Sequence, residues 1–116
     1  MKIQEMFTTV VTHLLTQKKR AINPKTKDCA YLSEDGCKCA GGCLIPPDTY
    51  TPKMEGIGVY GLAFFHDLAS TSENYNSFML VLSRLQEIHD KNLVEEWKDR
   101  CQDLAVVAHL EMPEGF

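Results

Sequence analysis

The amino-acid sequence predicts a mostly helical α+β protein, a small helical bundle that carries one short two-stranded β-hairpin. Apolar residues recur at three- and four-residue spacing towards both ends of the chain, which indicates amphipathic helices. Between them, residues 29–56 hold four of the five cysteines and three of the five prolines. Asp35-Gly36 lies there between two short extended runs, as is typical of a hairpin turn. At 116 residues the chain is expected to form one domain, with residues 112–116 as a loose tail.

The first predicted helix covers residues 2–20, and Asn23-Pro24 is expected to end it, because proline disfavours helical geometry in the preceding residue. Its apolar stripe consists of Ile3, Met6, Phe7, Val10, Val11, Leu14 and Leu15. A basic cluster at its end complements the negative end of the helix dipole, with a phosphate-binding patch as the alternative. The cluster is Lys18, Lys19, Arg20, Lys25 and Lys27. Nucleic-acid binding is disfavoured, because no aromatic residues interleave with these charges.

The central stretch is predicted to form the hairpin, with strands at residues 29–32 and 37–39 around a turn at 33–36. Residues 40–45 suit a short helix with a close backbone approach at Gly41-Gly42, and Pro46-Pro47 ends it. Residues 52–56 suit one further turn.

Three more helices are expected after the central stretch. The third covers residues 59–68, and the fourth runs from Ser70, with a capping box to Glu73, as far as His89. Asn92 and Glu95 have the spacing of a second cap, which would open the fifth helix, whose apolar positions extend to Ala108.

The sequence predicts a cytoplasmic protein with no membrane contact. No signal-peptide pattern begins the chain, and no apolar run approaches the roughly 20 residues that span a bilayer. In a reducing compartment the cysteines are expected to be thiols or metal ligands. Residues 1–53 carry eight basic and five acidic side chains, a net +3, and residues 54–116 carry four and eleven, a net −7.

The four clustered cysteines raise the possibility of a structural zinc site, whose ligands would be Cys29, Cys37, Cys39 and Cys43. The paired C-x2-C spacing that would make this prediction specific is missing, so packed or exposed thiols without a cofactor are the alternative.

A thiol-dependent or metal-dependent enzyme is a second possibility. Cys39 at the start of a short helix would be the nucleophile, with His89 and Asp90, or the pair His66-Asp67, as base and orienting acid. A binding protein is the third possibility, because aromatic residues and glycine-rich connections can line a groove. The predicted binding residues are Tyr31, Cys39, Tyr50, Glu55 and Tyr60.

The central motif resembles a family of small proteins from bacteriophages and prophages. The matching residues are Cys29-Ala30-Tyr31, Asp35-Gly36, Lys38-Cys39-Ala40, Gly42 to Pro46, Tyr50, Pro52 and Met54-Glu55-Gly56, followed by Leu85-Gln86, His89-Asp90 and Trp97. The family pattern usually has an aliphatic residue at position 37 and admits alanine at 43, so a four-cysteine zinc site would not be a family trait.

The resemblance brings no activity and no catalytic residue. It implies a cytoplasmic accessory protein in the host cell, which acts by binding a host or defence protein or a small nucleotide ligand. The prediction is therefore a non-enzymatic anti-defence or host-takeover role, and the oligomeric state stays open.

Overall fold

The structure, a computed structural model that describes all 116 residues, contains four α-helices. They are α1 (Ile3–Gln17), α2 (Ala63–Ser70), α3 (Tyr75–Lys91) and α4 (Trp97–Ala108). Single 3₁₀ turns lie at Gly42–Leu44, Pro52–Met54, Val59–Gly61 and Val94–Glu96. The central helix is α3, which packs against each of the other three. None of the helices combines the length and the apolarity that crossing a lipid bilayer requires.

The hydrophobic core confirms the predicted apolar stripe of the first helix. All seven of its residues are buried, from Ile3 to Leu15. Opposite them lie the fully buried side chains of Phe65, Phe78 and Trp97, from the other three helices. The C-terminal residues Met112 and Phe116 also pack against this core.

Several helix ends differ from the prediction: α2 begins at Ala63 rather than at residue 59, and α4 begins at Trp97 rather than directly after Asn92. Local hydrogen bonds set two further ends. Lys18 adopts a left-handed conformation with φ 52° and closes α1 there, well before Asn23-Pro24. The N-cap of α3 is Asn74, whose side-chain oxygen accepts from the Ser77 N–H at 3.0 Å. Glu73 accepts instead from the Ile3 N–H at 2.9 Å and so ties α1 to the start of α3.

The predicted β-hairpin is wrong, and the fold is accordingly all-helical rather than α+β. Two isolated antiparallel bridges, Ile22 with Cys29 and Leu32 with Lys38, take the place of strands. The Asp35-Gly36 turn does form, since the Ser33 N–H donates to the Cys37 carbonyl at 2.9 Å. The pairing extends no further along the chain.

A side chain from outside the hairpin takes the Tyr31 N–H, the donor that would bond to Cys39 if pairing continued past the Leu32–Lys38 bridge. The N–H groups of Tyr31 and Leu32 donate to the two carboxylate oxygens of Glu55, at 2.9 and 3.2 Å. Gln17 accepts from the Lys38 N–H and donates to its carbonyl, both at 2.9 Å. Because each backbone donor can serve only one good acceptor, the bond from Tyr31 to Glu55 replaces the next step of sheet pairing, while Gln17 fixes Lys38 from outside the hairpin.

The predicted helix at residues 40–45 is reduced to the 3₁₀ turn Gly42–Leu44, which ends before Pro46. The close backbone approach at this point is confirmed. A Cβ atom on Gly42 would lie 2.0 Å from the Tyr31 carbonyl oxygen, and one on Gly41 would lie 2.9 Å from the Phe65 ring. Only glycine allows the chain to cross itself here.

Candidate functional site

The C-terminal half of α3 presents three polar side chains to the central stretch of the chain. Gln86, His89 and Asp90 have three- and four-residue spacing, which places them on one face of the helix. Gln86 accepts from the Gly41 N–H and donates to Asp90 Oδ1, both at 2.9 Å. The helix thereby holds a segment that has little regular structure of its own.

His89 is fully buried and both of its ring nitrogens are engaged. The Ala21 N–H points at Nε2 from 3.0 Å, so Nε2 must act as an acceptor and the proton of the neutral ring lies on Nδ1. Nδ1 then donates to Asp90 Oδ1 at 2.8 Å. The ring also packs against Trp97, with the ring centroids 5.3 Å apart. These contacts fix both the tautomer and the orientation of the imidazole.

Asp90 is the acceptor on which this network converges. Burial opposes its ionisation, but hydrogen bonds from His89, the Cys29 thiol and Gln86 outweigh that effect and hold the pKa of Asp90 below its ordinary value. The carboxylate is therefore charged at neutral pH. Burial and the neighbouring Asp90 charge raise the pKa of Cys29 to about 12, so Cys29 stays a thiol.

A cleft of about 550 Å³ opens beside Asp90 and Cys29. Its apolar lining comes from Ala30, Tyr31 and Ile57, of which Ile57 is exposed. The remaining residues that line it are Asp28, Cys39, Gly56, Gly58, Gln86 and Lys91. Concavity, apolar walls and a few oriented polar groups are the usual features of a ligand site.

The structure does not gather the four cysteines that were considered as zinc ligands. The group whose ligand atoms all lie within 4.8 Å of one another is Cys29, His89 and Asp90, and it includes none of Cys37, Cys39 and Cys43. All five cysteines are free thiols. A cluster of metal-ligating residue types therefore exists, with a different membership.

The candidate catalytic residues are not arranged for thiol chemistry. Cys39 is 2% exposed, and burial raises its pKa to about 12. Its sulfur accepts from the Gly42 N–H at 3.3 Å, whereas His89 bonds to Asp90 and Ala21. Burial likewise raises the pKa of Cys43 to about 12. A thiol that keeps its proton and has no base as a partner is a poor nucleophile.

The predicted binding residues fall into three groups. Tyr31 and Cys39 line the cleft. Glu55 and Tyr50 are engaged internally, because the Tyr50 hydroxyl donates to the Glu55 carboxylate at 2.7 Å. Tyr60 is 57% exposed and lies outside the lining of the cleft.

The contribution of Cys29 and Gln86 to the cleft was not predicted. The one-face spacing of Gln86, His89 and Asp90 on a helix was the available signal for Gln86.

A second concave surface, the α3–α4 groove, lies between Leu80 on α3 and Val107 on α4 and has a volume of about 700 Å³. Val107 and its neighbour Val106 are 78% and 76% exposed. The groove is mainly apolar and shares no residue with the cleft.

In comparisons with known proteins, no family model, no curated protein and no solved structure matches this chain.

Proposed function

We propose that this protein is a non-catalytic binding protein and that the cleft beside Asp90 is its recognition site. One observation carries the proposal: Gln86 and Asp90 in the cleft are already fixed by hydrogen bonds within α3, while the thiols of the cleft keep their protons. Such a site is rigid before its ligand arrives, which favours recognition because little ordering cost remains. The resemblance to phage proteins supports a cytoplasmic accessory role directed at a host or defence factor.

The charges of the cleft favour a protein partner over a nucleotide. Asp28 and Asp90 contribute two carboxylates to the lining, against one ammonium group from Lys91. The phosphates of a nucleotide would meet this negative excess, and no backbone at the N-terminus of a long helix faces them. The exposed Ile57 beside the cleft offers an apolar contact of the kind that protein interfaces bury.

Affinity capture from a bacterial host lysate tests this function. Tagged wild-type protein is expected to retain one partner protein in stoichiometric amount. The Ile57→Glu variant is expected to retain at least about tenfold less of that partner, because it places a charge in the contact. Val107→Glu is the matched control, since it places the same charge in the α3–α4 groove, and it should retain the partner.

Circular dichroism should show both variants folded. Loss of the partner in Val107→Glu with retention in Ile57→Glu would move the site to the groove. A preparation that captures nothing and turns over a substrate would overturn the proposal.

A zinc site is the second candidate, favoured by the 4.8 Å clustering of Cys29, His89 and Asp90. Ligation through Nδ1 would shift the imidazole proton to Nε2, where it would face the Ala21 N–H, so zinc would displace that hydrogen bond. Metal analysis of protein purified without chelator tests the site. About one equivalent that is lost in Cys29→Ser supports it, and less than about half an equivalent in the wild type counts against it.

A further inference from the structure

We propose that the group recognised in the cleft is the guanidinium of an arginine side chain on the partner protein, seated against the Asp90 carboxylate. The inference rests on the proposed function, because it names the chemistry that the recognition site accepts. Three features of the cleft lead to it: a carboxylate without an ion-pair partner, a fixed acceptor geometry and an apolar wall.

The first feature is that Asp90 has no cationic partner within the chain. Its side chain is only 32% exposed, and the group at ion-pair distance is the neutral ring of His89. Lys91 lines the same cleft but lies beyond ion-pair distance of Asp90, and Arg20 donates to the Asn92 carbonyl. A partly desolvated carboxylate that receives only neutral donors gains most from an external cation.

The second feature is the fixed position of this carboxylate. His89 Nδ1 and Gln86 Nε2 both donate to Oδ1, at 2.8 and 2.9 Å, from the same helix. Gln86 is itself held by the Gly41 N–H, so neither the acceptor nor its supports need to reorient when a ligand binds. A cation that enters the cleft therefore meets a preorganised acceptor, which raises affinity without further contacts.

The third feature is the combination of an apolar wall and further negative charge. The lining residues Ala30, Tyr31 and Ile57 suit the methylene stem of a long basic side chain, while Asp28 supplies a second carboxylate. Arginine fits this setting better than lysine, because its guanidinium is less strongly hydrated than an ammonium group and its planar fork of N–H groups matches a carboxylate. The volume of about 550 Å³ leaves room for neighbouring residues of the partner.

Amide NMR titration with a pair of matched probes tests the inference. N-acetyl-L-arginine amide carries the guanidinium, and N-acetyl-L-citrulline amide has nearly the same shape without the charge. The arginine probe is expected to give saturable shifts at Tyr31, Gly58 and Asp90, and the citrulline probe to bind at least about tenfold more weakly. Equal responses to the two probes, or arginine shifts confined to other residues, would overturn the inference.

Two variants and a salt titration complete the test. Asp90→Asn removes the charge with little change of shape and is expected to weaken the arginine probe about tenfold, whereas Asp103→Asn, in the α3–α4 groove, should leave it unchanged. If Asp90→Asn fails to fold, the wild-type protein provides the test. Raising the ionic strength from about 50 mM to 300 mM must weaken binding of the arginine probe and leave binding of the citrulline probe unchanged.

The two proposals fail separately. If the arginine probe does not bind but Ile57→Glu abolishes partner capture, the cleft is a recognition site for another chemistry. If the probe does not bind and nothing is captured, both proposals fall.

Discussion

At the scale of single residues, the chemistry of the cleft follows from which hydrogen-bonding atoms are already engaged. His89 is the type of residue that acts as a catalytic base, yet the Ala21 N–H occupies the nitrogen that would accept a proton. Asp90 next to it keeps its charge because three donors converge on it. The pair therefore offers a fixed negative charge rather than a proton acceptor at its imidazole.

Gly42 provides a prediction at this scale. Gly42→Ala is expected to lower the free energy of unfolding by about 3 kcal/mol, because overpacking forces the backbone to move. The added Cβ would lie 2.0 Å from the Tyr31 carbonyl oxygen, and backbone yields less than a side chain. Chemical denaturation followed by circular dichroism measures the change.

Gly58→Ala is the matched control for this experiment. Gly58 has φ −66° and no atom within 4 Å of a new Cβ. Alanine should therefore leave stability unchanged or raise it by about 0.5 kcal/mol, through the unfolded chain. Equal denaturation midpoints for the two variants would contradict the crossing of the chain at Gly42.

At the scale of elements, the long connection between α1 and α2 is shaped by side chains rather than by its own backbone pairing. Gln17 of α1 holds Lys38, and Gln86 of α3 holds Gly41. Glu55 ties the later part of the connection to the earlier one through Tyr31 and Leu32. The cleft owes its shape to these clamps, because it is lined by residues of this connection and by α3.

Glu55 provides the corresponding prediction. Glu55→Ala removes the acceptor of two N–H groups and is expected to lower the free energy of unfolding by about 2 kcal/mol, since hydrogen bonds to charged groups are the stronger ones. Hydrogen exchange should accelerate at the amides of Tyr31 and Leu32.

Glu34→Ala is the control, because Glu34 is exposed and should change stability by less than about 0.5 kcal/mol. Unchanged exchange at Tyr31 and Leu32 in Glu55→Ala would show that another group orders the connection.

At the scale of the whole molecule, the pKa values of the cysteine thiols reflect burial rather than activation for catalysis. Cys39 and Cys43 lie in one turn of the connection and Cys101 lies in α4, and burial is the main cause that raises the pKa of each to about 12. The folded chain thus keeps its thiols protonated over a range in which the unfolded chain releases those protons.

This difference predicts a loss of stability in alkaline solution. Below the ordinary thiol pKa of 9.0 both states hold their protons, so these groups contribute no pH dependence. As the pH rises from 9.0 towards about 12, the unfolded chain alone ionises, and the free energy of unfolding must fall. Denaturation midpoints at several pH values, measured under reducing conditions, give the slope.

Cys101→Ala supplies the comparison for the pH dependence. It removes one buried thiol from α4, so its midpoint should fall less steeply above pH 9.0 than that of the wild type. Parallel slopes for the two proteins would show that the pKa of the Cys101 thiol is the same in the folded and unfolded states.

The helices could be predicted from the sequence because their signal is local. The apolar stripe of α1 repeats within a few residues and is buried throughout, and Trp97, Cys101 and Ala105 form the buried positions of α4 in the same way. The close approach at Gly41-Gly42 was also readable, since two adjacent small residues leave room for a crossing backbone.

The structure of residues 29–56 depends on contacts that no local sequence pattern encodes. Residues 29–32 look like a strand, but Glu55 takes the N–H groups of Tyr31 and Leu32 from more than twenty residues away. The charge of Asp90, the tautomer of His89 and the protonation of the thiols likewise depend on burial and on partners brought together by folding. Periodicity depends on residues that are close in the chain, whereas hydrogen-bond partners and burial depend on residues that are close in space. The cleft is formed by contacts of the second kind.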